Sequence, residues 1–165
     1  MSEAPDGGHD SRSDEDQRVE SSPPAPDGDA YSWYRRGLDL LSRGSAAAAA
    51  QLLQRAAEAE PGSRSVLEAL GRAQFDAGRY AAAADSFRQI VEASPSDDYA
   101  HFGLGLALAR DGNPAAAAEH LALAAAMRPD LPHYTDALRG VRATLRARAA
   151  PEPPASPPPA GDAPG

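Results

Sequence analysis

Four histidines, His9, His101, His120 and His133, are the side chains whose ordinary pKa suits proton transfer near neutrality. Their spacing matches no metal-ligand pattern, and none lies in an H-E-x-x-H helix. Cysteine is absent, which excludes thiolate nucleophiles, thiolate zinc sites and disulfides. No G-x-S-x-G elbow and no Walker loop is present. Gly103-Leu104-Gly105 shares two glycines with a dinucleotide loop but falls inside a helical pattern with no strand before it, so it reads as helix packing. Asp85 and Glu119 occupy outward helical positions and read as solvated carboxylates. His101 reads as a packing residue. These observations predict a protein that is not an enzyme and that holds no cofactor or metal.

Charge offers a second kind of chemistry, recognition of ions. The chain has a net charge of −8, which argues against a general nucleic-acid binder. Residues 1–29 hold nine acids and two arginines, whereas residues 30–150 hold thirteen acids and fourteen arginines. The acidity therefore sits at the ends. Residues 1–29 contain almost no large apolar side chain and read as a disordered acidic arm. Residues 151–165 hold seven prolines and read as an extended, disordered tail. No leader is visible at the start, and no apolar run approaches the ~20 residues of a membrane span, so a cytoplasmic protein without membrane association is expected.

The elements that position any site repeat every 34 residues. Gly37, Gly71 and Gly105 coincide, as do Gly44, Gly78 and Gly112. Ala49, Ala83 and Ala117 form a third column, Leu53, Phe87 and Leu121 a fourth, and Pro61, Pro95 and Pro129 a fifth. Each unit reads as two helices. In the third, Gly112 suits a left-handed helix end, Asn113 an N-cap and Pro114 the first helical position. The small columns let two backbones approach, and the larger Leu53, Phe87 and Leu121 fill the space beside them. Beyond the units, Tyr134, Leu138, Val141 and Leu145 form one apolar stripe over 132–149, which predicts a capping helix. Arg139, Arg142, Arg146 and Arg148 lie off that stripe and read as a solvated face; the other reading is a site for an anionic partner or for the acidic arm.

The sequence resembles the tetratricopeptide repeat family over roughly residues 30–131. Trp33, Gly37, Ala49, Leu53, Ala56 and Pro61 carry the likeness in unit one. Leu70, Gly71, Ala83, Phe87 and Pro95 carry it in unit two, and Leu104, Gly105, Ala117, Leu121, Ala124 and Pro129 in unit three. Arg36 and Gln74 depart from it, the first at an apolar position and the second at a tyrosine position. The resemblance implies an all-α superhelix of three helix-turn-helix repeats (30–63, 64–97 and 98–131) with the capping helix behind them. It also implies that the first helices line a concave groove. The groove would present Tyr31, Tyr34, Leu38 and Leu41 from unit one, Glu68, Arg72, Phe75 and Asp76 from unit two, and Tyr99, Phe102, Leu106 and Arg110 from unit three. Tyr99 and Leu41 are the members most expected to pack in the core. Chaperone-binding members of the family grip a terminal carboxylate with Lys, Asn and Arg. Tyr34, Leu38, Ala69, Tyr99 and Gly103 stand at those positions here and cannot do so.

The reading that follows is an adaptor binding a peptide or short helix of a protein partner, with Tyr34, Leu38, Glu68, Arg72, Phe75, Phe102, Leu106 and Arg110 as its groove residues. Two alternatives stand beside it. In one, the repeats self-associate, giving a homodimer through the first helix with Trp33, Tyr34 and Arg36. In the other, the acidic arm or the proline-rich tail covers the groove.

Overall fold

A computed structural model describes residues 28–151. The expectations for the acidic arm and the proline-rich tail fall almost wholly outside that range. Seven helices follow one another: α1 (Ala30–Ser42), α2 (Ala46–Ala59), α3 (Arg64–Asp76), α4 (Tyr80–Ala93), α5 (Asp98–Arg110), α6 (Pro114–Met127) and α7 (Pro132–Ala149). Among the described residues there is no strand. None of these helices is long and apolar enough to cross a membrane.

Local chemistry sets the ends of the helices. Asp29, Asp97 and Asn113 each accept a hydrogen bond from a backbone N–H three residues on, at 2.8, 2.9 and 3.2 Å, satisfying donors that the first helical turn leaves unpaired. Each helix pair turns at a glycine in the left-handed region, with φ of 79° at Gly44, 74° at Gly78 and 88° at Gly112. The residue after each glycine donates back into the helix just ended, Ser45 to Leu40, Arg79 to Gln74 and Asn113 to Leu108, at 2.8–2.9 Å. The same closure thus recurs at the same place in every pair.

Each helix packs on the next. In addition the backbones of α1 and α3, α3 and α5, and α5 and α7 come close, whereas those of α2, α4 and α6 do not. The stack is therefore curved, with the odd-numbered helices on its inner side. This is an all-α superhelix, as expected.

Close packing inside each pair depends on glycine. A Cβ on Gly37 would come within 2.6 Å of Leu53, and one on Gly105 within 2.6 Å of Leu121. The Phe87 ring is enclosed from two sides: a Cβ on Gly71 of α3 would come within 2.8 Å of it and one on Gly103 of α5 within 2.6 Å. Leu53, Phe87 and Leu121 are buried, and with Ala49, Ala83 and Ala117 they run through the core. Tyr134, Leu138 and Val141 of α7 are buried as well, and Leu145 is half-buried.

Buried polar groups are paired. Ser86 donates to Gln74 Oε1 at 2.6 Å, and Tyr134 Oη donates to Asp98 Oδ2 at 2.9 Å. Gln74 at the family's tyrosine position thus gives its polar end a partner on α4. His101 is buried, as its packing role requires. Its Nε2 faces the Pro95 carbonyl oxygen at 2.9 Å and its Nδ1 faces His120 Nδ1 at 3.1 Å. A carbonyl can only accept, so in the neutral pair His101 Nε2 carries the hydrogen and His120 Nδ1 donates to His101 Nδ1.

Candidate functional site

The inner side of the stack carries two adjoining hollows. One, about 230 Å³, lies between α3 and α5: Phe87 and Gly103 form its depth, Phe75, Tyr99, Phe102 and Leu106 its walls, and Arg72 and Asp76 its rim. The other, about 100 Å³, lies between α1 and α3 and is bounded by Tyr34, Leu38, Ser65, Glu68, Ala69 and Arg72. Arg72 is common to both, so the two adjoin at its side chain and together make up a trough. Gly103 opens the larger one, because any side chain there would cover the Phe87 ring.

Seven of the eight groove residues named from the sequence, Tyr34, Leu38, Glu68, Arg72, Phe75, Phe102 and Leu106, line these hollows. Arg110 stands beside them: its guanidinium lies 5.8 Å from the centre of the Phe75 ring and 5.5 Å from that of Tyr80, within range of cation–π attraction. Arg72 is exposed, and Phe75 and Leu106 are half-buried. Glu68 is held by Arg64 Nη1 at 2.7 Å. Arg64 also donates through Nε to Asp97 at 2.6 Å, tying the start of α3 to the cap of α5. Burial opposes ionisation of Asp97, but the hydrogen bonds from Arg64 and the Ala100 N–H outweigh it and hold its pKa below the usual carboxylate value. Burial raises the pKa of Tyr99.

Tyr99 is half-buried, edge-on to Phe87 at 6.3 Å between ring centres, and still borders the hollow. Leu41 packs in the α1–α3 core instead. Tyr31 does not join the trough; it is 63% exposed and borders a different hollow. Three contributors were absent from the sequence-based set. Tyr80 from α4 meets Phe75 edge-on at 5.2 Å. Tyr134 of α7 stacks on Phe102 at 4.4 Å, and His133 meets the same ring edge-on at 5.3 Å. Phe102 is thus partly roofed by α7, and it serves the wall of the trough more than its open surface.

The five positions at which chaperone-binding members of the family hold a carboxylate all fall in this trough as Tyr34, Leu38, Ala69, Tyr99 and Gly103. They supply two phenol rings and methyl groups. Among the described residues no three His, Asp or Glu side chains converge as metal ligands would. The trough is lined by apolar side chains, with two cations and two carboxylates beside them.

The sequence model of a family described as tetratricopeptide repeat matches twice, over residues 34–98 and 68–132. No curated protein matches the chain. Solved structures do. The Sgt2 TPR domain from Aspergillus fumigatus is 21% identical, with a TM-score of 0.69 over 86% of this chain and 93% of that one. MamA from Desulfovibrio magneticus RS-1 is 21% identical, with a TM-score of 0.68 over 73% of this chain and 68% of that one. The first TPR of Spaghetti (RPAP3), solved bound to HSP90 peptide SRMEEVD, is 18% identical, with a TM-score of 0.66 over 71% of this chain and 93% of that one. At these identities the likeness is one of fold.

Proposed function

Because the chain belongs to the tetratricopeptide repeat family, whose domains are protein–protein interaction modules, we propose that it is a non-catalytic adaptor that binds an extended peptide or short helix of a partner protein in its concave trough. The observation that carries this reading is that the two hollows adjoin at Arg72. A segment lying along them would set one apolar side chain between Tyr34 and Leu38 and a larger one against Phe75, Tyr99 and Leu106. Rigid rings give contact area at little entropic cost. Arg72 and Arg110 would bind a carboxylate of the ligand at the margin. Among the described residues of the trough a terminal carboxylate has no buried clamp.

The test is selection of displayed random peptides on the full chain, followed by measured affinities for three variants. Leu106→Glu and Arg72→Glu are expected to weaken the selected peptides at least tenfold, on the order of 1.4 kcal/mol. Gln89→Glu on exposed α4 is expected to leave them unchanged. Equal binding by all three variants would remove the trough from consideration.

A further inference from the structure

A third hollow, about 670 Å³, lies at the other end of the molecule, where nothing among the described residues packs in front of α1 and α2. Its walls are the Tyr31 and Trp33 rings with Leu52, and Arg35, Arg36 and Arg55 surround them. Arg35 donates to Tyr31 Oη at 3.3 Å and lies over that ring. None of the three arginines has an acidic partner among the described residues, and here, unlike the other arginines without one, they stand together around one hollow. Three cations around an aromatic hollow make a receptor for an acidic chain: guanidinium groups bind carboxylates through paired, charge-assisted hydrogen bonds, and the rings exclude water beside them.

We infer that this hollow receives the chain's own acidic segment, residues 1–27. That segment holds eight acids and two arginines, with Asp14, Glu15 and Asp16 in succession. Gly28 itself borders the hollow, so the segment joins the folded body at the rim of the site. Covalent attachment at that point gives an effective concentration on the order of millimolar without any partner. The run at 14–16 is separated from Gly28 by eleven residues, enough chain to turn back over a hollow of this size. The arginines of α7 compete less well: Arg139 is already paired with Asp136 at 2.6 Å, and α7 lies at the opposite end of the stack from Gly28, where the segment joins. The acidic segment therefore closes the first end of the stack as α7 closes the last.

Trp33, the only tryptophan of the chain, reports on the site directly. The experiment measures acrylamide quenching of its fluorescence in the full chain between about 20 and 500 mM NaCl, a range that takes charge screening from weak to strong. The expected result is low quenching at low salt that rises about twofold at high salt. Asp14→Asn/Glu15→Gln/Asp16→Asn, which leaves α1 to α7 untouched, should show the high value throughout. Arg36→Glu/Arg55→Glu should match it, with circular dichroism reporting that the helices persist. Arg142→Glu/Arg146→Glu on α7 should behave as the wild type. Quenching indifferent to salt and to both sets of substitutions would overturn the inference. So would an equal response from the α7 variant. Salt-sensitive protection that grows with protein concentration and sediments as a dimer would overturn it in favour of a second copy of the chain.

Discussion

Replacing Gly103 with alanine tests the packing that shapes both the core and the trough. The new Cβ would sit 2.6 Å from Cε1 and Cζ of Phe87, whereas carbon–carbon contact is comfortable at about 3.5–4.0 Å. The ring would have to retreat by roughly 1 Å, and Gly71 holds it on the other side, where a Cβ would approach within 2.8 Å. Overpacking costs about 1–3 kcal/mol, and a ring held from two sides belongs near the upper figure. Alanine in place of glycine inside a helix returns about 1 kcal/mol. The net expectation is a loss of about 2 kcal/mol, or roughly 6–10 °C in Tm. The repeat supplies its own control. One unit earlier, the residue enclosed is Leu53 and the position matching Gly103 is Ala69, packed in the same cluster; one unit later the pair is Leu121 and Ala137. Phe87→Leu should therefore accept Gly103→Ala. We expect Phe87→Leu alone to cost about 1 kcal/mol and the double variant to cost no more, a coupling of about 2 kcal/mol in a double-mutant cycle. Urea unfolding followed by circular dichroism measures all four proteins. A double variant whose loss equals the sum of the two single losses would refute the enclosed-ring account.

Two further outcomes follow from buried charge. Burial first, then His101 and Arg88, lower the pKa of His120 against the pull of Glu119; the unfolded chain then takes up the proton first, and stability present above about pH 6.5 is lost as pH falls through that value. His120→Asn, which keeps a donor near His101, should flatten the decline in Tm between about pH 7.5 and 5.5, and an unchanged slope would count against the pair. Asp97→Ala should lose the α5 cap and the Arg64 bridge together, about 1–2 kcal/mol, with the bridge discounted because the Arg64 side chain is 52% exposed. Asp97→Asn keeps the cap and should recover about half of that in thermal melts.

The parts of this fold that could be read from sequence are those set by nearest neighbours. Gly112, Asn113 and Pro114 mark a helix end, a cap and a helix start by their own backbone chemistry, and they do so in the structure. The trough residues were expected from the family resemblance, which gives Tyr34, Glu68 and Phe102 one groove-facing position in the 34-residue unit. Contacts made across that period were not. Tyr80 reaches Phe75 from the second helix of the pair, and Tyr134 covers Phe102 from outside the repeats. Both depend on how the stack curves, which no column of identical residues states. The exchange of Leu with Ala for Phe with Gly at 53/69 and 87/103 was present in the sequence as a paired change. Its meaning needed the knowledge that these positions face one another. The arginine-rimmed hollow arises for a different reason, since an end is defined by what does not pack there.

The unequal joining of the two layers has a mechanical consequence. The backbones of α1, α3, α5 and α7 approach one another along the inner side, whereas those of α2, α4 and α6 are joined only through the odd-numbered helices packed between them. Each unit is fastened to the next chiefly where its second helix lies against the first helix of the following one. A load on one unit is therefore handed on through its immediate neighbour rather than along either layer alone.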